Sequence, residues 1–315
     1  MNPSILSIWR YWFAIGVIAA CLVLTACENE QFNLPGTLSA DESVSVVDFS
    51  GEQISLSRPA RRIVALAPHL VENVYSAGAG EYLVGVVKHS DFPKAARELP
   101  IVGGYQSASE EAILLLEPDL VLAWESGNSY AIIRHLKELG LTVYVDQTDS
   151  LEDVAKTIRD IGTLARTSEK ANRSSQVYLD SLSQLRAKYI DRPRIKTFYQ
   201  VWNSPIRTIS GNHIISDTIE LCGGENIYAE EIAVSPTVSI ESVLDRNPQA
   251  IIASGMADER PEWLDMWRKW GHLDAVKNEA LYFVHPDHIQ RHTTRLLLAA
   301  KTVCEQLDQL REELK

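Results

Sequence analysis

Five of the eight histidines pose the first chemical question. His69, His89, His285, His288 and His292 fall at or just after short β-rich runs. In open α/β sheets those strand ends are where ligands bind. A neutral imidazole can ligate a metal while an acceptor holds its other nitrogen. Each of the five can equally be an ordinary polar residue. Trp202 and Arg207 sit in a later loop and can add an aromatic surface and a cation to such a site. Trp263, Trp267 and Trp270 step by four and three after Pro261 and read as the packing stripe of a helix, with contact to a ligand or partner as the alternative.

Other chemistry finds little support. His285-Pro286-Asp287-His288 is similar to part of the HxxDH signature of binuclear metallohydrolases, but the further histidines such a centre needs are not at the required spacing. No Gly-x-Ser-x-Gly, Walker loop or His-Glu-x-x-His is present. Binding without catalysis is the expectation: no enzyme, no cofactor, and a periplasmic metallohydrolase as the remote alternative. The chain has 315 residues, 45% hydrophobic and 23% charged, with a net charge of −12. That is a globular composition with room for two domains. Its acidity argues against nucleic acid as a partner.

The elements that must position these residues begin after an address segment. Residues 5–26 hold one charge, Arg10, in an otherwise apolar stretch ending in Leu24-Thr25-Ala26-Cys27. This reads as a lipoprotein signal peptide over 1–26, cleaved before Cys27, whose thiol carries lipid. An uncleaved anchor is the alternative. A polar tether over 27–45 follows, so the expected location is the periplasm, lipid-anchored to a membrane. Once Cys21 leaves and Cys27 is lipidated, Cys222 and Cys304 remain. In an exported protein they are expected to pair, with two buried free thiols as the alternative.

The body reads as a duplication. Ser109, Glu111, Leu114, Pro118 and Ala123 match Ser239, Glu241, Leu244, Pro248 and Ala253 at a constant offset. Each copy predicts a capped short helix, a proline turn and a buried parallel strand. Runs at 62–66, 119–123 and 141–145, then at 195–202, 250–254 and 281–284, predict strands separated by helices such as 131–139 and 151–165. Between the sets, Tyr178, Leu182, Leu185 and Tyr189 recur at helical spacing and predict one helix over 168–189. The expected fold class is α/β: two lobes with parallel sheets joined by one long helix. The expected domains are 46–166, a linking helix at 167–190 and 191–315.

At this point the chain resembles the helical-backbone class of ABC-importer substrate-binding proteins, which carry cobalamin, haem and ferric siderophores. Within it the chain is most similar to the cobalamin-binding members. The likeness rests on Arg62-Ile63-Val64-Ala65-Leu66-Ala67-Pro68, Ser90-Asp91-Phe92-Pro93, Glu117-Pro118-Asp119-Leu120-Val121-Leu122-Ala123-Trp124, Leu221-Cys222-Gly223-Gly224-Glu225-Asn226-Ile227 and Leu298-Ala299-Ala300-Lys301-Thr302-Val303-Cys304. The Glu-Pro-Asp-Leu-Val run marks the whole class. Trp124 with Gly127-Asn128, and the two cysteines in these contexts, point to cobalamin. The resemblance implies two Rossmann-like lobes (class III) and a ligand held between them.

It also implies roles. The family's aromatic wall falls on Trp124, Tyr105 and His89, of which only the first keeps its tryptophan. A further aromatic position falls on Ser235, and an Asp-Trp pair falls on Asp287-His288. Asp287, Arg291 and Arg207 would meet amides or the nucleotide phosphate. His69, His89 and His288 are candidates for the ligand's metal face, and no residue is read as binding a metal ion directly. The lost aromatics leave a related corrinoid or another metal macrocycle possible, with a haem or ferric-siderophore receptor as the alternative function. Glu111 and Glu241 fall where the family docks on permease arginines. Partners would then be an ABC permease with its ATPase, the chain itself a monomer.

Overall fold

The computed structural model describes residues 42–255 and 259–315; the signal segment, Cys27 and most of the tether lie outside the described residues. A hairpin of β1 (Val44–Val47) and β2 (Gln53–Leu56) comes first. At its turn the Asp48 carboxylate accepts hydrogen bonds from the backbone of Ser50 and Glu52, and from Val145. The hairpin is thereby tied to the sheet of the first lobe.

That lobe runs through β3 (Ile63–Ala65), α1 (Pro68–Ser76), β4 (Leu83–Val86), the short pair β5 (Gly103–Gly104) and β6 (Ser107–Ala108), α2 (Glu110–Leu115), β7 (Leu120–Trp124), α3 (Tyr130–Glu138), β8 (Val143–Asp146) and α4 (Asp153–Leu164). Its sheet is parallel, in the order β4-β3-β7-β8. The helix α5 (Ser168–Tyr189) leads to the second lobe. This has β9 (Ile195–Gln200), the hairpin β10 (Trp202–Asn203) and β11 (Ile206–Arg207), α6 (Ile214–Leu221), β12 (Gly224–Asn226), α7 (Ile240–Arg246), β13 (Ala250–Ala253), α8 (Asp274–Lys277), β14 (Leu281–Phe283), α9 (Pro286–Ile289) and α10 (Leu296–Glu313). Its sheet is also parallel, in the order β12-β9-β13-β14.

The central strands are apolar because helices cover both faces: every residue of β3 and of β13 is buried. The repeat is visible in atomic detail. Ser109 Oγ accepts from Ala112 N and Ser239 Oγ from Ser242 N, each at 3.2 Å, so both short helices carry the same cap. Glu117 and Asn247 both leave their helices with positive φ, 44° and 43°, just before the proline. The strands that follow, β7 and β13, occupy the same place in their sheets.

Two strands carry no clear signal in the sequence. β4 contains Gly85 and β12 begins at Gly224, and glycine lowers strand propensity. The helices above explain the choice. A Cβ at Gly85 would lie 2.5 Å from Leu116, and one at Gly224 would lie 2.4 Å from Ile219. The run expected as one strand over 195–202 is divided: β9 stops at Gln200, and Trp202 instead pairs with Arg207 across the β10–β11 turn.

The helix α5 buries Ala171, Ser175, Tyr178, Leu182 and Tyr189 and packs on α4 and α1 of the first lobe and on α6 and α10 of the second. Its apolar stripe belongs to one hydrophobic core that takes residues from both lobes. Cys222, at the end of α6, and Cys304, within α10, form a disulfide with Cα atoms 4.6 Å apart.

Candidate functional site

Three strand ends of the first sheet converge. The exit of β3 leads to Pro68 and His69, β7 ends at Trp124 and β8 ends at Asp146. His69 is 3% exposed, with Nε2 lying 3.3 Å from Asp146 Oδ2. Asp146 is buried and also accepts from the hydroxyls of Thr148 and Thr157. The Trp124 indole stands edge-on to His69, with centroids 5.1 Å apart and an interplanar angle of 88°. Tyr105 lies 6.0 Å from Trp124 and is exposed.

Asn128 assembles this wall. Its Oδ1 accepts from Trp124 N at 2.6 Å, while Nδ2 donates to Leu66 O at 2.9 Å and Tyr105 O at 2.6 Å. Gly127 lies against the indole: a Cβ there would fall 1.8 Å from Trp124 Cε3. The Trp-x-x-Gly-Asn spacing is therefore a mechanical unit, in which glycine makes room for the ring and asparagine ties three loops.

The second lobe meets this wall with imidazoles. The His292 ring lies 5.1 Å from His69, 5.8 Å from Trp124 and 5.8 Å from His213. Asn73 Nδ2 donates to His292 O at 3.0 Å, joining α1 to the second lobe. His213 caps α6, its Nδ1 accepting from Ile215 N. Burial pushes the His213 imidazole down to about 4. Burial, then the neighbouring His69 and His213, hold His292 well below the usual imidazole range. Trp124 Nε1 and His292 Nδ1 are buried and have no hydrogen-bond partner among the described residues.

A charged cluster lies beside them. Arg291 contacts Glu72 at 3.0 Å, Asp91 at 2.7 Å and Asp287 at 2.9 Å. Arg295 contacts Glu72 at 2.7 Å and covers the Phe92 ring at 4.4 Å. His285 stacks on His288 at 4.7 Å and caps α9 through Asp287 N. Desolvation, aided by His285 and Arg295, lowers the His288 pKa.

The structure thus brings His69, Tyr105 and Trp124 together on one lobe and Asp287, His288 and Arg291 on the other. His89 is exposed on the loop after β4, with φ of 67°. Trp202 and Arg207 pair with each other across β10–β11: Trp202 Nε1 donates to Ser204 O, and Arg207 donates to Ser235 O at 3.1 Å. Glu111 and Glu241 are exposed in the first turns of α2 and α7. Trp267 is buried and donates to Gln200 at 2.7 Å, with Trp263 and Trp270 packed in the same cluster, so this stripe is packing. Sequence reasoning missed Glu72, Asp146, His213 and Arg295. The signals were there in part: Glu72 follows His69 by three on one helix, and Arg291 and Arg295 are four apart. Among the described residues, no group of three or more His, Cys, Asp or Glu side chains is arranged to hold a metal ion, and no helix is long and apolar enough to cross a membrane.

Two parallel sheets bridged by one long helix, with polar and aromatic groups gathered at the strand ends of both, define a two-lobed binding protein. Residues 63–288 match the periplasmic binding protein family, and the chain belongs to it. It is similar to the vitamin B12-binding protein of Vibrio parahaemolyticus serotype O3:K6, 35% identical over 260 residues that cover 82% of this chain and 93% of that one. The vitamin B12-binding protein of Vibrio cholerae serotype O1 is 38% identical over 250 residues, 79% and 90% of the two chains. Among solved structures, the periplasmic vitamin B12 binding protein BtuF of Vibrio cholerae has a TM-score of 0.74 at 37% identity, covering 80% of this chain and 98% of that chain. The periplasmic heme-binding protein BhuT, with two hemes bound, shares the fold at a TM-score of 0.71 and 20% identity, covering 80% and 99%.

Proposed function

We propose that this chain is the substrate-binding lipoprotein of an ABC importer and holds cobalamin or a related corrinoid between its lobes. The observation that carries the reading is the wall of Trp124 and Tyr105, fixed by Asn128 and Gly127. It faces a second lobe that offers Asp287, His288 and Arg291. A corrinoid is a broad ring fringed with amides. It needs aromatic surface for its faces and hydrogen-bonding groups for its edge. The relatives named for vitamin B12 support the ligand class.

In this reading the chain does no chemistry on its ligand. Acyl chains on Cys27 hold it to a membrane in the periplasm, and residues 46–166 and 191–315 act as lobes on either side of 167–190. Glu111 and Glu241, one per lobe at equivalent places, dock on permease cations, and the permease's ATPase drives release. Complementary charges of this kind set orientation and on-rate. A haem or ferric-siderophore ligand is the second reading, favoured by the stacked His285–His288 pair. Calorimetric titration with cyanocobalamin and, separately, with haemin tests both: the first reading expects one-to-one heat with cyanocobalamin alone, and heat with haemin alone would overturn it.

A further inference from the structure

The arginine best suited to meet a ligand's edge is already engaged. Arg291 Nη1 donates to Glu72 Oε1 at 3.0 Å and to Asp91 Oδ1 at 2.7 Å. Its Nη2 lies 2.9 Å from Asp287 Oδ1. The three carboxylates differ in setting. The Glu72 side chain is 3% exposed and is also gripped by Arg295, whose Nε and Nη2 donate to it at 2.9 and 2.7 Å. The Asp91 side chain is 45% exposed and that of Asp287 is 28% exposed. Two guanidiniums of the second lobe therefore clamp one buried carboxylate of the first. Asp91, from the loop after β4, reaches the same Arg291 from the solvent side. Arg295, stacked on Phe92, keeps that loop close.

These contacts are not equally exchangeable. Breaking a buried pair leaves an uncompensated charge and is strongly destabilising. The Asp91 pair, with one partner 45% exposed and the other 13%, lies nearer the surface limit, where a pair contributes less and is the more readily replaced. A corrinoid brings amide carbonyls, and cobalamin a phosphate, which are acceptors of the kind a carboxylate imitates at a guanidinium.

We propose that Asp91 is an internal competitor that occupies Arg291 until a ligand acceptor displaces it, and that Glu72 is the positioning residue that keeps Arg291 aimed throughout the exchange. The proposal rests on the reading that a corrinoid binds between the lobes. It predicts effects of opposite sign from two carboxylates on the same arginine, which a general loosening of the lobes would not produce.

The test is titration of the whole chain with cyanocobalamin, by calorimetry and stopped flow, for wild type, Asp91→Asn and Glu72→Gln, with thermal melts of each. Asp91→Asn is expected to bind about three- to fivefold more tightly, the upper range for an ion pair near the surface, with a faster on-rate. Its melting temperature is expected to fall by about 2 °C, because a cross-lobe pair is gone. Glu72→Gln is expected to bind at least about tenfold more weakly. Should it not fold, Glu72→Asp, which keeps the charge but shortens its reach, is expected to weaken binding less. Unchanged or weaker binding by Asp91→Asn overturns the proposal while a binding wild type leaves the function reading intact. A wild type that gives no heat overturns both. Unchanged affinity in a folded Glu72 variant removes the positioning role.

Discussion

Acid should loosen this protein through His213, and the size of the effect can be worked from its surroundings. His213 caps α6 with an unprotonated Nδ1 and is pushed down to about 4 by burial. In the unfolded chain its pKa is about 6.5. The unfolded state therefore binds more protons between these values, and stability falls as pH drops through about 6.5 until the loss is complete near 4. A shift of about 2.5 units at about 1.4 kcal/mol each gives a total near 3.4 kcal/mol, of which about 2 kcal/mol is lost by pH 5. The perturbation is His213→Asn, which keeps a capping oxygen but does not titrate. His292 stays in both proteins, so its own titration largely cancels in the difference. Urea unfolding at pH 7, 6 and 5 should show the wild type losing about 2 kcal/mol more than His213→Asn. Parallel losses in the two proteins would mean that His213 is already charged or solvated in the folded state, and the loss would not be its own.

Gly127→Ala forces a Cβ into the space of the Trp124 indole; it should cost about 1–3 kcal/mol of stability and at least about tenfold in cyanocobalamin affinity, read by melts and calorimetry. Replacing both Cys222 and Cys304 with alanine opens a link across 82 positions; it should lower stability by about 4.5 kcal/mol, and the variant, unlike the wild type, should melt at the same temperature with and without reductant. Reversing Glu111 and Glu241 to lysine should abolish corrinoid uptake by cells while purified protein binds as before; a matching loss of affinity would show that the two glutamates do not act separately from the ligand site.

The sequence was most legible where structure is local and repetitive. The long helix shows its stripe at regular spacing, and of its four residues Tyr178, Leu182 and Tyr189 are buried and Leu185 is partly buried. The paired caps at Ser109 and Ser239 are short-range hydrogen bonds, so the duplication could be read from spacing alone. The strands β4 and β12 escaped because Gly85 and Gly224 serve the helices that press on them. At the site, Trp124 with Gly127 and Asn128 is a five-residue unit and carries its own signal. The cross-lobe contacts do not. Asn73 reaches His292, and Arg291 reaches Glu72, across 219 positions each. No local pattern encodes which histidine will be buried against which. A separation of 77 positions likewise hid Asp146, an unremarked end of a strand until the fold brings it to His69.

Whether a corrinoid sits against the Trp124 wall is decided by calorimetric titration of wild type and Trp124→Ala with cyanocobalamin. The wild type should bind one-to-one and the variant should lose at least about 2 kcal/mol, the weight of a large aromatic contact. Equal affinities in the two proteins would contradict that placement.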